Sequence, residues 1–451
     1  MAQPVLTISS DLCITEADEM LIAELKNMLT IANPKYLAAK KYARWVGKKI
    51  PRKLYFYKDH KSGLHMPRGF AKQVIQASLS TVGCQPEIID KRRTCEECRF
   101  QFLGTLRPYQ KTAVREMLKK EFGVLEAGTG SGKTVIALAL IAARKQPAIV
   151  IVHTKELLYQ WAERVKSFLG IEAGLVGDGH FSIQPVTIAI VNSAKRKLAE
   201  LKGHFGHILV DECHRVPTTL FTDVVSFFDG KYSLGLSATA YRREDVLTKI
   251  IYFYMGERVW QIDPQILHAE GAILKPEIIA RPTGFTYRYR DDYAAMMTAL
   301  TVDEPRNRQI ADDVLMEAKR SNGTILVVSD RIAHCEKLVQ LLEERGCNTV
   351  LLTGRVAPEQ RAEIVARIQS GKLDVVVSTL QLIGEGFDAQ GLSTLFLATP
   401  IKFSGRLRQV IGRILRPAEG KRARVYDYED EQVGVLRSSA RIRRKTYLSM
   451  V

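Results

Sequence analysis

The stretch Glu126-Ala127-Gly128-Thr129-Gly130-Ser131-Gly132-Lys133-Thr134 carries the first chemistry the sequence offers. An apolar run, Phe122 to Leu125, precedes it, and Val135-Ile136-Ala137-Leu138-Ala139-Leu140, of helical composition, follows. Strand, glycine-rich turn and helix form the context that a phosphate-binding loop needs. The glycines let backbone N–H groups turn inward around phosphate oxygens, and the helix N-terminus adds the positive end of its dipole. Lys133 is expected to reach the β- and γ-phosphates of a nucleotide, and the Thr134 hydroxyl to ligate Mg²⁺. The strict GxxxxGK[ST] spacing fails at its first position, where Ala127 stands.

Asp211-Glu212-Cys213-His214 closes a second apolar run, Ile208-Leu209-Val210. A carboxylate at a strand end beside a phosphate loop can hold Mg²⁺ through its water shell, the role expected of Asp211. Glu212 can then orient and deprotonate an attacking water. Upstream, Leu106-Arg107-Pro108-Tyr109-Gln110 offers a glutamine whose two-sided amide suits the donor and acceptor edge of adenine. Near the C-terminus, Gln409-Val410-Ile411-Gly412-Arg413-Ile414-Leu415-Arg416 sets two arginines three positions apart. That spacing places Arg413 and Arg416 on one face of a helix, as an arginine finger acting on a transferring phosphoryl group requires.

Such groups need a scaffold that ends several strands at one edge. Ala148–Val152, Val186–Val191, Ile208–Val210 and Tyr232–Leu236 are short apolar runs separated by helical segments, the pattern of a buried parallel sheet covered on both faces. Ligands in such sheets bind at the carboxyl ends of strands. Polar clusters stand at those ends: His153-Thr154-Lys155-Glu156, Asn192-Ser193 and Ser237-Ala238-Thr239. From about residue 270 the pattern repeats without a second phosphate loop. Its strand candidates are Thr324–Val328, Thr349–Leu352, Asp374–Ser378, Thr394–Leu397 and Arg424–Tyr428, and its strand ends carry Ser329-Asp330-Arg331, Thr379 and Gly384-Glu385-Gly386-Phe387-Asp388.

Residues 1 to about 100 read as a separate small α+β module. Helices are expected from about Thr15 to Leu29 and from Ala71 to about Leu79, with a strand at Lys53–Tyr57. Between Lys35 and Lys72 there are twelve lysines or arginines against a single acid, Asp59. Trp45, Tyr55, Phe56 and Tyr57 are interleaved with them, and Arg68 stands near the end of the stretch. Aromatic faces beside cations suit bases and phosphates together, so this module is expected to contact nucleic acid. A solvated basic face over core aromatics is the alternative. For the basic C-terminus, Arg437 to Lys445, a phosphate-contacting element and a solvated tail stand as equal alternatives.

The chain has 451 residues, 46% hydrophobic and 25% charged, with a net charge of +17. Its length calls for several domains, its composition for globular ones, and its charge for a polyanionic partner. No run reaches the roughly 18 apolar residues of a membrane span, and no signal pattern opens the chain, so a cytoplasmic protein is expected. The seven scattered cysteines argue for a reducing compartment. Cys95-Glu96-Glu97-Cys98 is a lone CxxC, at most half of a zinc site with Cys84 or His65 as partners; a second CxxC or a close CxxH is missing, and zinc has no part in the expected mechanism.

In their order and spacing these motifs resemble a superfamily 2 helicase motor over residues from about 100 to 430. The resemblance implies two tandem RecA-like parallel-sheet domains, 101–270 and 271–451, behind an N-terminal DNA-binding domain, 1–100. It implies ATP and Mg²⁺ as cofactors. By resemblance Arg107, Tyr109 and Gln110 form the adenine motif, Gly128 to Thr134 motif I, and Asp211 to His214 motif II in its DECH form. Ser237 and Thr239 in motif III couple ATP state to movement. Thr379 and Gly384 to Asp388 form motif V, with Gly386 and Asp388 on the nucleotide, and Gln409, Arg413 and Arg416 lie in motif VI. Thr154, Asn192, Ser193, Ser329 and Thr379 match positions that hold the nucleic-acid backbone. Arg243-Glu244-Asp245 resembles the RED signature of XPB-type DNA helicases, and the whole is similar to compact phage and bacterial relatives that remodel branched DNA. Ala240-Tyr241 departs from the proline that many relatives carry after motif III. The resemblance implies a monomer or weak oligomer working on branched DNA, with polarity usually 3′ to 5′. An RNA helicase or a nucleotide-regulated clamp are the alternatives.

Overall fold

The computed structural model describes residues 3–41, 50–216, 218–238, 246–320, 323–384, 389, 391–448 and 450. The chain divides into two compact units, residues 1–127 with 132–262, and 128–131 with 263–451.

The first unit begins with a five-stranded sheet. In spatial order its strands are Lys58–His60, Gly63–Pro67, Asp11–Thr15, Val5–Ile8 and Glu87–Asp90, antiparallel except for the last pair. Alternating buried positions on Val5–Ile8 and Asp11–Thr15 give this sheet one apolar face. Helix Glu19–Met28 covers it, started by Asp18, whose side chain accepts the Leu21 N–H at 2.7 Å. Helix Ala71–Thr81 packs beside it, and Leu6, Leu12, Leu21, Leu25, Met66 and Val74 fill the space between.

That core is not self-contained. Ile250 and Phe253, from the distant helix Val246–Met255, belong to the same cluster. Gly69 lies so close to this helix that a Cβ would stand 2.3 Å from Gly256 N and from Tyr252 O. Beside it, Arg68 is only 3% exposed and donates to the carbonyls of Gly230, at 2.9 Å, and Phe228, at 3.4 Å. The expectation that Arg68 touches nucleic acid is therefore overturned. Its Nη1 is committed to these buried carbonyls, and the burial keeps the guanidinium from solvent.

The motor sheet of this unit has eight strands. In spatial order they are His180–Phe181, Gly174–Gly177, Val186–Ile190, Ala148–Val152, His207–Val210, Tyr232–Ser237, Phe122–Glu126 and Arg258–Gln261. All pairs are parallel except His180–Phe181 against Gly174–Gly177. The five apolar runs of the sequence all appear here as strands. Three further strands were not expected, because they are short and polar or glycine-containing and lie toward the sheet edges.

The second unit holds a six-stranded, wholly parallel sheet in the order Glu277–Pro282, Arg424–Glu429, Leu392–Leu397, Thr324–Ser329, Val375–Thr379, Thr349–Leu352. Helix Gly434–Leu448 closes the chain, and buried ion pairs fix it. Arg443 donates to Asp427 at 2.8 Å, and Tyr447 donates to the same carboxylate at 2.7 Å. Arg444 pairs with Glu429 and Glu431. Part of the basic C-terminus is thus neither a solvated tail nor a phosphate contact but a strut of the domain. Both sheets agree with the expected α/β class.

Candidate nucleotide and nucleic-acid site

The phosphate loop is built by backbone conformation. Gly130 and Gly132 have φ of +87° and +77°, in the left-handed region that side chains disfavour. At Gly132 a Cβ would also stand 2.4 Å from Gln110 Nε2. Helix Lys133–Arg144 begins directly after Gly132, so its free N–H groups and dipole end face the loop. The Ser131 hydroxyl donates to Gly128 O at 2.7 Å and locks the turn across Thr129. Lys133 folds over the loop, its Nζ donating to Ala127 O at 3.0 Å. The Ala127 N–H in turn donates to Ser237 O at 2.9 Å, which ties the loop to motif III. Thr134 opens the second position of the helix.

Two strands away lie the carboxylates. The Asp211 N–H donates to Ile151 O at 3.0 Å, so the parallel pairing of His207–Val210 with Ala148–Val152 runs up to the site. Both Asp211 oxygens accept hydrogen bonds: Oδ1 from Glu212 N at 2.9 Å, and Oδ2 from the Trp161 indole Nε1–H at 2.8 Å. Burial, and next the charge of Glu212, pushes the Asp211 pKa up to about 6. A buried carboxylate under that load is relieved by a divalent cation beside it. Burial would raise Glu212 as well, but His214, Lys133 and His153 hold it below the ordinary carboxylate range. Glu212 has φ +50°, an uncommon conformation for a side-chain-bearing residue and one that recurs at working sites. His214 Nδ1 lies 3.2 Å from Glu212 Oε2 and 3.2 Å from Ser237 Oγ, so it bridges the two.

The adenine motif is partly committed within the fold. Helix Pro108–Leu118 opens with a capping box in which the Gln110 Oε1 accepts the Arg107 N–H at 3.0 Å. Gln110 and Tyr109 are both buried. One face of the glutamine amide thus caps the helix while the other abuts Gly132.

Thr154 caps helix Lys155–Leu169, its hydroxyl accepting the Leu157 N–H at 3.3 Å. Asn192 and Ser193 open helix Val191–Arg196, with Asn192 exposed. In the second unit Thr379 ends its strand, in register with Ser329. Ser329 itself is fully buried, bonded to His334 Nδ1 at 2.8 Å. It braces the loop from beneath and is corrected from a nucleic-acid contact to a packing residue. Gln409 lies in helix Ser404–Gly412, and Arg413 is its C-cap. The expected common helical face for Arg413 and Arg416 fails. The Arg413 and Ile414 N–H groups bond only three residues back, at 3.1 and 3.0 Å, and Pro417 disfavours helix at Arg416. Trp45, Thr239, Arg243, Gly386 and Asp388 lie outside the described residues. Among the described residues no group of three or more His, Cys, Asp or Glu is placed to hold a metal, and no helix is long and apolar enough to cross a membrane.

Sequence reasoning missed Trp161, and gave His153 no role beyond its place at a strand end. Trp161 is fully buried, and a buried indole N–H needs an acceptor. Its partner lies 50 positions away, so the pairing was not legible. His153 ends the Ala148–Val152 run, and burial pushes its pKa down to about 4, leaving a neutral imidazole in the field of Arg215 and Glu212.

Two family models match the chain: the type III restriction enzyme res subunit over residues 103–242, and the helicase conserved C-terminal domain over 307–418. The protein named Probable helicase D10 of Escherichia phage T5 is 25% identical over 349 residues, 76% of this chain and 75% of that one. The DNA 3′-5′ translocase XPB2 of Sulfurisphaera tokodaii is 24% identical over 353 residues, 69% of this chain and 78% of that one. In fold, the chain is similar to a fragment of an HsdR subunit of a type I restriction enzyme from Vibrio vulnificus. The TM-score is 0.58 at 19% identity, over 73% of this chain and 65% of that one.

Proposed function

We infer, for a chain that belongs to the superfamily 2 helicases and is a nucleic-acid-dependent ATPase, that it is a DNA translocase that unwinds or branch-migrates forks, junctions and displacement loops. The single observation that carries this reading is the convergence on one sheet edge of a phosphate loop, the Asp211–Glu212 pair and the strand-end residues Thr154 and Asn192. Nucleotide hydrolysis and strand contact on one rigid edge are what a motor couples.

In this reading Lys133 and the loop N–H groups hold the phosphates, and Gln110 with Tyr109 seats the base. Thr134 and Asp211 would hold Mg²⁺, which when bound neutralises charge across the phosphates. Glu212, kept ionised, takes the proton of the attacking water. Arg413 and Arg416 stabilise the developing charge on the transferring phosphoryl group. Backbone contacts carry no sequence information, so DNA structure selects the substrate.

The N-terminal module supports contact with DNA: Lys53 and Tyr55 lie on the short strand Lys53–Tyr55, paired with Thr30–Ala32, and Lys53, Lys58 and Lys61 are exposed, with Tyr55 61% exposed and edge-on to Tyr57. We place the activity in replication, recombination or repair, with movement 3′ to 5′, as the name of the archaeal relative reads.

Steady-state ATPase activity with no nucleic acid, single-stranded, duplex, forked and four-way DNA, and RNA tests the reading, with Glu212→Gln as control. Strongest stimulation by forks or junctions, lost in the control, is expected. Strongest stimulation by RNA would make the chain an RNA helicase, and no stimulation at all would leave a clamp.

A further inference from the structure

The carboxyl edge of the motor sheet in the first unit carries rings that backbone contacts leave unexplained. Gly174–Gly177, Val186–Ile190 and Ala148–Val152 run parallel and end together, so Thr154, Asn192 and the turn after Gly177 share one edge. In that turn Asp178 and Gly179 have φ of +50° and +84°. Two consecutive positive φ values make the tight hairpin turn whose twist matches its strands. His180 and Phe181 return from it.

The turn is anchored. Tyr159, from helix Lys155–Leu169, donates its hydroxyl to Asp178 Oδ2 at 2.9 Å. The His180 ring meets the Tyr159 ring edge-on, with centroids 6.3 Å apart and planes at 89°. The Lys197 ammonium stands 5.2 Å from the Phe181 ring centroid. Despite these ties Tyr159 and Phe181 remain 42% and 47% exposed. Residues 195–202 add Lys195, Arg196, Lys197 and Lys202; Lys195 pairs with Asp223 at 3.0 Å and Lys197 with Glu200 at 2.8 Å, and the excess that remains is positive.

We propose that Tyr159, His180 and Phe181 form a base-stacking edge for single-stranded DNA, beside the backbone contacts of Thr154 and Asn192. The proposal rests on the DNA-motor reading above and adds a grip that phosphate charge does not supply. Every base presents a π-face, so such stacking tolerates any sequence, as a translocase needs. Rings already held by Asp178 and Lys197 lose little freedom when a base lands on them. The lysines and arginine beside them then take the phosphates between stacked bases.

The test compares binding of the full chain, by fluorescence anisotropy, to an oligothymidylate and to a tetrahydrofuran (abasic) oligonucleotide of equal length. The two carry the same phosphates. The wild-type chain is expected to bind the base-bearing strand about tenfold more tightly. Phe181→Leu and Tyr159→Leu keep apolar volume and should each cut that preference several-fold. Affinity for the abasic strand, its salt dependence and the melting temperature should stay unchanged. Equal wild-type binding of the two strands overturns the stacking edge, as does a loss in the variants that is equal for both strands. Binding of neither strand overturns the DNA reading beneath it, and the edge with it.

Discussion

Trp161 holds, through its N–H, one oxygen of a carboxylate to which the proposed function gives a role in hydrolysis. Its indole holds the carboxylate of Asp211 at 2.8 Å, and the other Asp211 oxygen is held by the backbone. Trp161→Phe keeps the buried ring and removes only the donor. Without that donor the Asp211 carboxyl loses a hydrogen bond that lowers its pKa, so the proton competes better with Mg²⁺ and cation affinity should fall several-fold near pH 6. The Mg²⁺ dependence of fluorescent-nucleotide binding reads this directly, and an unchanged Mg²⁺ midpoint would sink the assignment. The raised pKa of Asp211 sets an acid limit. A carboxylate pushed up to about 6 keeps its proton to higher pH, so its ionised form is lost as pH falls through about 6, not about 4. ATPase at limiting Mg²⁺ should therefore decline on the acid side near that value. A profile flat down to pH 5 would contradict it.

At the scale of elements, two close approaches decide how the site is held. Gly132 must be left-handed and must clear Gln110, so Gly132→Ala strains the loop and pushes the adenine motif away together. Gly69→Ala meets backbone on the facing helix, which cannot move aside as a flexible side chain would. That substitution should cost about 1–3 kcal/mol, read as a lower melting temperature. The end of helix Ser404–Gly412 separates the two motif VI arginines by role, since Arg413 caps the helix and Arg416 lies beyond it. Arg416→Ala should lower kcat about a thousandfold or more while nucleotide affinity holds, the signature of a group that acts in the transition state. A loss confined to KM would assign Arg416 to binding instead.

At the scale of the molecule, the N-terminal sheet and the motor sheet behind it share apolar core through Ile250 and Phe253. Deleting residues 1–100 would expose both side chains, so a truncated chain should melt lower or aggregate, as light scattering on heating would show. Loss of DNA binding in that truncation would then say little about contacts. Lys53→Glu with Lys58→Glu is the cleaner test, because both side chains are exposed. The pair should weaken binding to forked DNA and flatten its salt dependence, with the melting temperature preserved. Unchanged fork binding would remove the N-terminal face from the interface.

The sequence alone determined what is local. Gly130, Gly132 and Lys133 announce a phosphate loop because the turn and helix start need only neighbours in the chain. The central parallel strands of both sheets announce themselves because burial on two faces demands continuous apolar runs, as at Ala148–Val152 and Thr324–Ser329, whereas Gly174–Gly177, Arg258–Gln261 and Glu277–Pro282, nearer the sheet edges, do not. Tertiary structure decided whatever depends on a distant partner. Arg68 looks like a phosphate contact until its carbonyls at 228 and 230 are seen, and Ser329 until His334 claims it. Arg443 lies in a basic run, yet Asp427 draws it inside. A charge in sequence has no direction, and the fold supplies it by setting which polar groups are buried and must be paired. The Trp161–Asp211 bond and the Tyr159–Asp178 anchor belong to the same class, since each joins segments that only the packing of helix on sheet brings together.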